Sequence, residues 1–455
     1  MNKFAIHPLL KEIAALFAAE NRELYLVGGA VRDLLRGEDP KDWDLATGAT
    51  PPEVIALFRR RRYTVIPTGI KHGTVTVHYG GREMEITTFR TESEYRDGRH
   101  PERVEFAVSI EEDLSRRDFT MNAAALSLPG GVLTDPFGGA DDIAKRLIRC
   151  VGNPAERFAE DGLRPLRALR FAAQLGFTVE EATLDAIPGA LPVTARVSAE
   201  RVRDEMDKLL LSSRPSAALL LMEKTGLLAL LLPELADCRG VEQKGFHRFD
   251  VLDHSLLACD YAARKEYPLI VRLAALFHDI GKPQTRGMDE EGIWIFYRHE
   301  QLSAELVRNI LSRLRYPNAV TEKVCHLIAC HMFHYVEDWS DAAVRRFIVR
   351  TGEENLEDLY RLRRADACAA AGIEPAADFL LPLIRRVDGV LAEDHAFSLK
   401  DLAVSGKDLM EAGIPPGKHM GIILDELLET VLEDPGQNRK DKLLEIAVNI
   451  NRRYR

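Results

Sequence analysis

The chain has 455 residues, of which 46% are hydrophobic and 29% are charged, and its formal net charge is −10. This length suits about two to four domains with hydrophobic cores, and the lack of any run of about 18 apolar residues excludes a membrane-spanning helix. The acidic balance argues against a general nucleic-acid coat but permits a local RNA site. The 6 cysteines are scattered without a CxxC pair, which predicts reduced thiols in a cytoplasmic protein.

The segment from about residue 24 to residue 150 mixes strand and helix patterns, after an N-terminal amphipathic helix. "ELYLVGG" predicts a strand that enters a glycine turn, and "AVRDLLRG" predicts a helix that ends at Gly37. "WDLAT" predicts a second strand, and "PPEVIALFRRR" predicts a helix that begins with prolines. "GTVTVHYGGREMEITTFR" alternates apolar and polar residues around Gly80-Gly81, which predicts a β-hairpin. The polar stretch "TESEYRDGRHPE" predicts a loop.

From about residue 141 onward the strand signals fade. Stretches such as "GLRPLRALRFAAQLGF", "SAERVRDEMDKLLLS" and "PSAALLLMEKTGLLALLL" repeat apolar residues every three or four positions, which is the period of an amphipathic helix. The sequence therefore predicts an α/β head of roughly 140 residues followed by a long helical body.

Two carboxylates two residues apart suggest a metal site in the head. On a strand, Asp42 and Asp44 point to the same face while Trp43 points away. Adjacent carboxylates repel each other unless a divalent cation neutralises them. A third acid is expected from a neighbouring strand, and Glu85 in "EMEITTF" is the candidate. This set predicts two-metal phosphoryl transfer.

Gly28 and Gly29 supply the complementary half of such a site. Because glycine has no Cβ, the backbone can approach a triphosphate closely, and the helix that follows offers free N–H groups. Arg32 lies one turn into that helix. Each feature is weak alone, since an Asp-x-Asp pair is more often a turn or a cap, but their order along the chain favours a nucleotide site.

These motifs resemble the head of polymerase-β-type nucleotidyltransferases, and specifically the bacterial-type (class II) tRNA nucleotidyltransferase and poly(A) polymerase family. The resemblance is carried by "LVGGAVRDLL", "DWDLAT", "TGIKHGTVTV", "EITTFR", "YRDGRHP", "RRDFTMNAAAL", "DPFGGADDI" and "EDGLRPLRALRF". It implies an α+β fold, in which a mixed sheet with flanking helices precedes a long all-α body that contains an HD domain. The implied domains are the nucleotidyltransferase head 1–140, a helical neck 141–240 that binds RNA and nucleobase, an HD domain 241–370, and a helical tRNA-binding tail 371–455.

The family resemblance implies a template-independent enzyme that adds CCA to the tRNA 3′ end from CTP and ATP. Its partners are tRNA, ATP and CTP, with no DNA and no membrane. The catalytic residues would be Asp42, Asp44 and Glu85, with Asp42 and Asp44 as Mg²⁺ ligands. The RNA 3′-hydroxyl would attack the α-phosphorus in line, and pyrophosphate would leave.

The resemblance also implies how the base is chosen. In "EDGLRPLRALRF", Asp161 and Arg164 share one helical face and would read the incoming base. A carboxylate accepts from the exocyclic amino group of cytosine or adenine while a guanidinium donates to the adjacent ring nitrogen. Uracil and guanine present the opposite order, and polar matching of this kind discriminates by about 10⁴–10⁵. The remaining implied nucleotide-binding residues are Arg117, Asp118, Asn122, Arg167 and Arg170, together with Gly28, Gly29 and Arg32. The loop residues Arg96, Asp97 and Arg99 match a segment thought to switch the site from C to A.

A second constellation lies in the helical half. "DVLDHSLLACD", "LAALFHDIGKPQTR" and "LRRADACAA" resemble the HD superfamily of metal-dependent phosphohydrolases. The resemblance implies that His254, His278, Asp279 and Asp366 bind a divalent metal, for which Mn²⁺, Ni²⁺, Mg²⁺ or iron is suitable. His299 and His331 are weaker candidates for a second metal position. A zinc site built from Cys325, His326, Cys330 and His331 is disfavoured by its spacing.

Several alternatives stay open at the level of sequence. An A-adding enzyme that completes tRNAs ending in CC shares almost every motif, and a poly(A) polymerase shares the same chemistry. The main activity is alternatively that of the HD phosphohydrolase, with a head that only binds nucleotide. The last alternative is an RNA-binding protein without turnover.

Overall fold

The computed structural model of the chain describes residues 4–66, 70, 73–92, 104–106, 109–243, 248–374, 378–393 and 398–453. These residues form two compact units, Met1–Ala236 and Asp237–Arg455. Within the described ranges, none of the helices has the length and hydropathy that a membrane crossing requires. The predicted loop residues Arg96, Asp97 and Arg99 lie outside these ranges.

The N-terminal part of the first unit is a mixed α/β head, and the strands and helices predicted before residue 90 are present. Its elements are α1 Pro8–Ala18, β1 Leu24–Val27, α2 Gly29–Leu35, β2 Trp43–Thr47, α3 Pro51–Arg59, β3 Thr64–Ile66, β4 Thr74–Tyr79, β5 Arg82–Thr88, β6 Arg90–Glu92, β7 Val104–Phe106, α4 Ile110–Ser115, β8 Ala125–Ser127, β9 Leu133–Thr134 and α5 Gly139–Ala144. A 3₁₀ turn, Thr120–Asn122, lies between α4 and β8.

The main sheet of the head has the strand order β3-β4-β5-β2-β1-β8-β9. β2 and β5 are parallel, and the other neighbours are antiparallel. The β4–β5 hairpin turns at Gly80 and Gly81, whose φ angles of 57° and 77° lie in the left-handed region that glycine adopts without strain. The sheet is therefore mixed, as the sequence predicts.

One face of this sheet packs on the main core of the head, and the other carries the polar residues beside a smaller buried apolar cluster that includes Val27 and Ala46. Trp43, Leu45, Met84 and Ile86 are buried in a core with residues of α1 and α3, and Phe17 and Phe58 from those helices are fully buried. Because successive strand residues alternate between faces, Asp44 and Glu85 lie on the opposite, open face. The alternation thus separates the core from the candidate site.

The rest of the first unit is mainly helical. Its elements are β10 Leu147–Ile148, α6 Pro154–Glu160, α7 Arg164–Leu175, β11 Thr178–Val179, α8 Glu181–Asp185, α9 Ile187–Thr194, α10 Ala199–Leu210, α11 Pro215–Lys224, α12 Leu227–Leu231 and α13 Pro233–Ala236. The sequence does not predict the parallel pair β10–β11, because two-residue strands are shorter than any recognisable hydrophobic period.

Among its described residues, the second unit is helical apart from one short hairpin. Its elements are α14 Val251–Arg264, α15 Leu269–Phe277, α16 Lys282–Thr285, β12 Arg286–Met288, β13 Trp294–Phe296, α17 His299–Arg313, α18 Asn318–Cys330, α19 Asp341–Thr351, α20 Leu356–Ala371, α21 Leu381–Leu391, α22 Gly406–Glu411, α23 Lys418–Glu433 and α24 Lys440–Arg453. The β12–β13 hairpin is an exception to the predicted all-α body. The last three helices enclose a core of their own that includes Leu409, Leu427 and Leu443.

Candidate active site and candidate metal centre

Two carboxylates from neighbouring strands of the head lie side by side. β2 and β5 pair in parallel with Asp44 opposite Glu85, so both side chains leave the same open face about 4.8 Å apart at the backbone. The protein around Asp44 removes water and raises the pKa of its carboxyl, and Asp42 adds to the rise while Arg117 and Arg32 oppose it. Partial loss of water, and after it the charge of Asp44, raises the pKa of Glu85. The pair is therefore short of positive charge at the position where a divalent cation would lie.

Asp42 does not lie on the strand, so the predicted strand geometry is wrong for this residue. β2 begins at Trp43, and β1 ends at Val27, which pairs with Asp44. Before Asp44 the chain therefore loses its β1 partner, and Asp42 lies in an exposed bend. Its charge still raises the pKa values of Asp44 and Glu85, so it is close enough to act on both.

The glycine turn lies directly beside Asp44. Gly28 has a φ angle of 68° and immediately precedes α2. A Cβ atom at this position would be 3.0 Å from Nη1 of Arg117 and 3.5 Å from Oδ2 of Asp44. A side chain would therefore be strained by the backbone and would occupy the space between an acid and a cation. The absence of a side chain at Gly28 keeps this part of the cleft open.

A chain of hydrogen bonds joins α2 to α7 along the floor of the cleft. Nη1 of Arg32 donates to Oδ1 of Asn122 over 3.1 Å, and Nδ2 of Asn122 donates to Asp118 over 3.2 Å. Nε of Arg167 donates to Oδ2 of Asp118 over 2.8 Å. Burial alone would raise the pKa of Asp118, but Arg167 and Asn122 lower it overall. The four predicted residues thus form one polar unit.

A buried acid on α4, Asp113, holds Arg117 in place. Asp113 is 1% exposed and accepts from Nη2 of Arg117 over 3.0 Å and from Nη2 of Arg116 over 2.7 Å. Burial opposes ionisation, yet the charges of Arg116 and Arg117 lower the pKa of Asp113. Arg117 is therefore positioned by a partner that the sequence analysis did not identify.

Asp161 and Arg164 do not share a continuous helix, which corrects the predicted arrangement. Asp161 has extended backbone angles at the end of α6, and α7 begins at Arg164. Pro165 has no N–H and begins a helix rather than continuing one. A Cβ at Gly162 would be 2.6 Å from the carbonyl carbon of Val193, so the break is packed tightly. Both Asp161 and Arg164 nevertheless line the cleft.

Arg170 points away from the cleft lining. Its Nε donates to Oε2 of Glu205 over 2.8 Å, and its Nη1 donates to Oε1 of Gln174 over 2.7 Å. Glu205 is 3% exposed and also lies 3.4 Å from Nη1 of Arg167. Burial lowers the pKa of Arg170, whereas burial of Glu205 is outweighed by Arg170 and Arg167, which lower its pKa. A direct contact between Arg170 and nucleotide stays a prediction.

The cleft has a volume of about 500 Å³. Besides the acids and Gly28 and Gly29, its lining includes six arginines, Arg32, Arg90, Arg116, Arg117, Arg164 and Arg167. Guanidinium groups match phosphate oxygens in charge and geometry. One end of the cleft therefore suits cations and its walls suit a polyphosphate.

A second group of functional side chains is buried in the second unit. His254 and His278 are 1% and 0% exposed, and Asp279 and Asp366 are 1% and 6% exposed. The Nε2 atoms of the two histidines are 3.0 Å apart, and Nε2 of His254 is 3.2 Å from Oδ1 of Asp366 and 3.4 Å from Oδ2 of Asp279. The four predicted ligands thus converge from α14, the end of α15 and α20.

His299 and His331 extend this cluster on the other side of Asp279. Their Nε2 atoms lie 3.2 Å and 3.9 Å from Oδ1 of Asp279. Among the described residues, the ligand atoms of His254, His278 and Asp279 form one potential metal site, and those of Asp279, His299 and His331 form another. Asp279 is common to both and has one oxygen facing each group.

The histidine tautomers suit metal binding. Nδ1 of His278, His299 and His331 lies 2.9, 2.8 and 2.7 Å from the carbonyl oxygens of Ala275, Phe296 and Ile328. A carbonyl only accepts, so Nδ1 carries the proton and Nε2 offers its lone pair to the cluster. Burial lowers the pKa of His331 to about 3. His331 is therefore neutral, as a metal ligand must be.

A cavity of about 660 Å³ opens beside this cluster. Its lining combines cations, Lys282 and Arg363, with the aromatic residues Trp294, Phe296 and Tyr297. Nζ of Lys282 is 2.6 Å from Oδ2 of Asp279, and Arg363 pairs with Asp366. The sequence analysis did not assign Lys282 and Arg363, although both lie within one turn of a predicted ligand. By contrast, Nε2 of His326 is 2.6 Å from the carbonyl oxygen of Thr351, which separates it from His331.

The head combines a mixed sheet, two paired acids beside a glycine turn, and a cleft lined by arginines. These features define the class of protein as a nucleotidyltransferase with a polymerase-β-type head. Comparison with known families agrees along the chain. Residues 24–149 match the family described as "Poly A polymerase head domain". Residues 176–239 match "Probable RNA and SrmB- binding site of polymerase A", and residues 287–447 match "tRNA nucleotidyltransferase domain 2 putative".

Relatives that extend over the whole chain identify the family. The CCA-adding enzyme of Geobacillus kaustophilus is 35% identical over 441 residues, which cover 95% of this chain and 94% of the relative. That of Geobacillus thermodenitrificans is 51% identical over 266 residues, or 58% of this chain and 61% of the relative. The crystal structure of the Bacillus stearothermophilus CCA-adding enzyme in complex with CTP superposes with a TM-score of 0.73 at 30% identity, covering 99% of each chain. The chain belongs to the family of CCA-adding enzymes, which are tRNA nucleotidyltransferases.

Proposed function

We propose that this protein builds the CCA end of tRNA from CTP and ATP without a template, by two-metal phosphoryl transfer in the cleft of the head. The observation that carries the proposal is the pairing of Asp44 with Glu85 on adjacent strands, in a cleft that is also lined by six arginines. The full-length likeness to CCA-adding enzymes supports the same activity.

The acids fit a magnesium site. Asp44 and Glu85 each have a raised pKa because nearby protein atoms partly displace water from them and because their neighbours are negatively charged, and carboxylate oxygens are preferred Mg²⁺ ligands. Asp42, Asp44 and Glu85 would hold the ions. When bound there, the ions would supply acidification of the attacking hydroxyl and neutralisation of charge on the triphosphate.

The protein's own groups position the reactants. Gly28 leaves space for the phosphates next to Asp44, and Arg32, Arg117 and Arg167 supply fixed positive charge, because each is held by an acid or amide of the protein. This fixed charge needs no reorganisation as the triphosphate reacts. Catalysis is then mostly positioning and charge neutralisation.

Base choice is assigned to Asp161 and Arg164. In the cleft, the carboxylate would accept from the amino group of cytosine or adenine, and the guanidinium would donate to the ring nitrogen. The neck 141–240 would hold nucleobase and RNA, and the tail 371–455 would bind tRNA. The protein would work in the cytoplasm, in keeping with its six free cysteines.

The test offers the purified protein three tRNAs that end before CCA, after C and after CC, each with CTP, ATP or both. Extension of all three to CCA is expected. Extension of only the last, by ATP alone, would instead identify an A-adding enzyme, and a long homopolymer on unrelated RNA would identify a poly(A) polymerase. Asp44→Asn should abolish extension, whereas Asp141→Asn, which changes an exposed acid, should leave it intact.

A second activity is supported by the cluster in the second unit. We assign His254, His278, Asp279 and Asp366 to a divalent metal such as Mn²⁺, Ni²⁺ or Mg²⁺, and His299 and His331 to a second position that shares Asp279. Their burial and their Nε2 orientation fit such ions. A metal held by these residues would supply an activated water for phosphoester hydrolysis, and Lys282 would neutralise charge on the phosphate.

This activity is tested with Mn²⁺ and a chromogenic phosphomonoester or phosphodiester. Release of the chromophore by the wild type and by His326→Ala, but not by His278→Ala, is expected. Equal rates in all three proteins would remove the assignment and leave CCA addition unaffected.

A further inference from the structure

Asp161 is held by a residue from another helix. Its Oδ1 accepts from the backbone N–H of Leu163 over 3.0 Å, and its Oδ2 accepts from Nη2 of Arg201 over 2.6 Å. Arg201 lies on α10, 40 positions further along the chain. The side chains of Asp161 and Arg201 are 21% and 35% exposed, so the pair is partly shielded from water, and Asp161 lines the cleft.

Arg164 is fixed differently. Its side chain is 7% exposed and pairs with Glu160, and it donates to the carbonyl oxygens of Arg157 and Arg116 over 2.9 Å and 3.1 Å. Asp161 instead lies on extended backbone between two helices. Its local backbone bond holds only Oδ1, so the direction of Oδ2 depends on Arg201.

Side chains on successive turns of α10 pair with charges of opposite sign in the segment from Asp161 to Arg170. Arg201 binds Asp161, and Glu205, one turn later, binds Arg167 and Arg170. Residues at i and i+4 lie on the same face of a helix. One face of α10 therefore presents the cation Arg201 to Asp161, and it presents the acid Glu205 to the arginines of α7.

We propose that Arg201 is a positioning residue for nucleobase selection, an inference that rests on the proposed CCA-adding function and on base reading by Asp161. An ionised carboxylate only accepts hydrogen bonds, which suits the amino groups of cytosine and adenine. Arg201 keeps Oδ2 of Asp161 directed, while the backbone N–H of Leu163 holds Oδ1. Without Arg201 the carboxylate is free to turn, and it no longer meets the amino group of cytosine or adenine in the fixed geometry that rejects the carbonyl oxygen of uracil or guanine.

The experiment compares Arg201→Ala and Arg201→Lys with the wild type. Arg203→Ala is the matched control, because Arg203 lies on the same helix and pairs with its neighbour Asp204 over 2.9 Å. The kcat/KM values are measured for CTP and UTP on tRNA that lacks CCA, and for ATP and GTP on tRNA that ends in CC. Thermal unfolding of each variant establishes that it is folded.

We expect Arg201→Ala to reduce the CTP/UTP and ATP/GTP selectivity at least about tenfold, on the scale of a hydrogen bond between charged groups. Arg201→Lys should restore part of it, and Arg203→Ala should match the wild type. An equal fall of kcat/KM for all four nucleotides would show a purely structural role and overturn the inference, as would unchanged selectivity. If the wild type added neither C nor A, the proposed function itself would fail, which is a distinct result.

Discussion

Replacing Glu205 by glutamine removes one buried charge and keeps the shape of the side chain. In the fold, Glu205 is 3% exposed and is the acid bound to Nε of Arg170 at 2.8 Å. The side chain of Arg170 is itself only 6% exposed, and burial already lowers its pKa. The substitution therefore leaves a buried guanidinium without a counterion.

The cost follows from these contacts. Breaking a buried ion pair by removing one partner costs about 3–5 kcal/mol. We expect the lower end of this range, because the glutamine still accepts one hydrogen bond. In addition, Arg167 keeps its ion pair with Asp118, in which Nη2 and Oδ2 are 2.7 Å apart. A loss of about 3 kcal/mol corresponds to a Tm decrease of about 6–12 °C in a unit of this size.

The assay is thermal unfolding of Glu205→Gln, followed by circular dichroism and compared with Glu200→Gln. Glu200 is an exposed acid on the same helix, and surface substitutions of this kind usually change stability by less than about 0.5 kcal/mol. Below the unfolding transition, the kcat/KM of Glu205→Gln should stay within about tenfold of the wild type, since Arg167 remains bound to Asp118. A Tm within 2 °C (about 0.5–1 kcal/mol) of the Glu200→Gln control would refute the reasoning.

Three further predictions concern acids and metal ligands. Asp44→Asn should reduce CCA addition by about 10³-fold without lowering the Tm, because it relieves repulsion with Glu85; retention of a tenth of the activity would contradict this. Asp113 has a lowered pKa in the fold, so its stabilisation is present above the unfolded-state pKa of about 3.9 and is lost as the pH falls below that value. Between about pH 4 and pH 2, the Tm should therefore fall less in Asp113→Asn than in the wild type, and parallel curves would count against the pairing. After incubation with Mn²⁺ and gel filtration, His278→Ala should hold less metal than His326→Ala by elemental analysis, and equal metal contents would exclude the centre.

The comparison between sequence and structure is most informative at the candidate magnesium ligands of the head. The alternation of "WDLAT" and "REMEITT" predicts that Asp44 and Glu85 leave the open face of the sheet, because a strand has a two-residue side-chain period. The position of Asp42 is not predicted correctly, because the place where β2 begins depends on where its partner β1 ends, and that is a property of the assembled sheet.

A similar limit applies to "EDGLRPLRALRF". Its charged spacing suggests one continuous helix, whereas Pro165 and the packing of Gly162 against Val193 divide it. In the second unit, by contrast, the resemblance to the HD superfamily selects His254, His278, Asp279 and Asp366, and the structure brings these four side chains together. His299 and His331 join them only through the packing of α17 and α18.

The sequence by itself determined the chemistry of this protein: the fold class, the elements of the head and the kinds of side chain at both sites follow from local periods and from motifs. Only the tertiary structure decided the partners that lie far away along the chain, such as Glu205 for Arg170 and Arg201 for Asp161. The reason is physical. A buried charge needs a counterion close by in space, and local patterns carry no information about which distant residue supplies it.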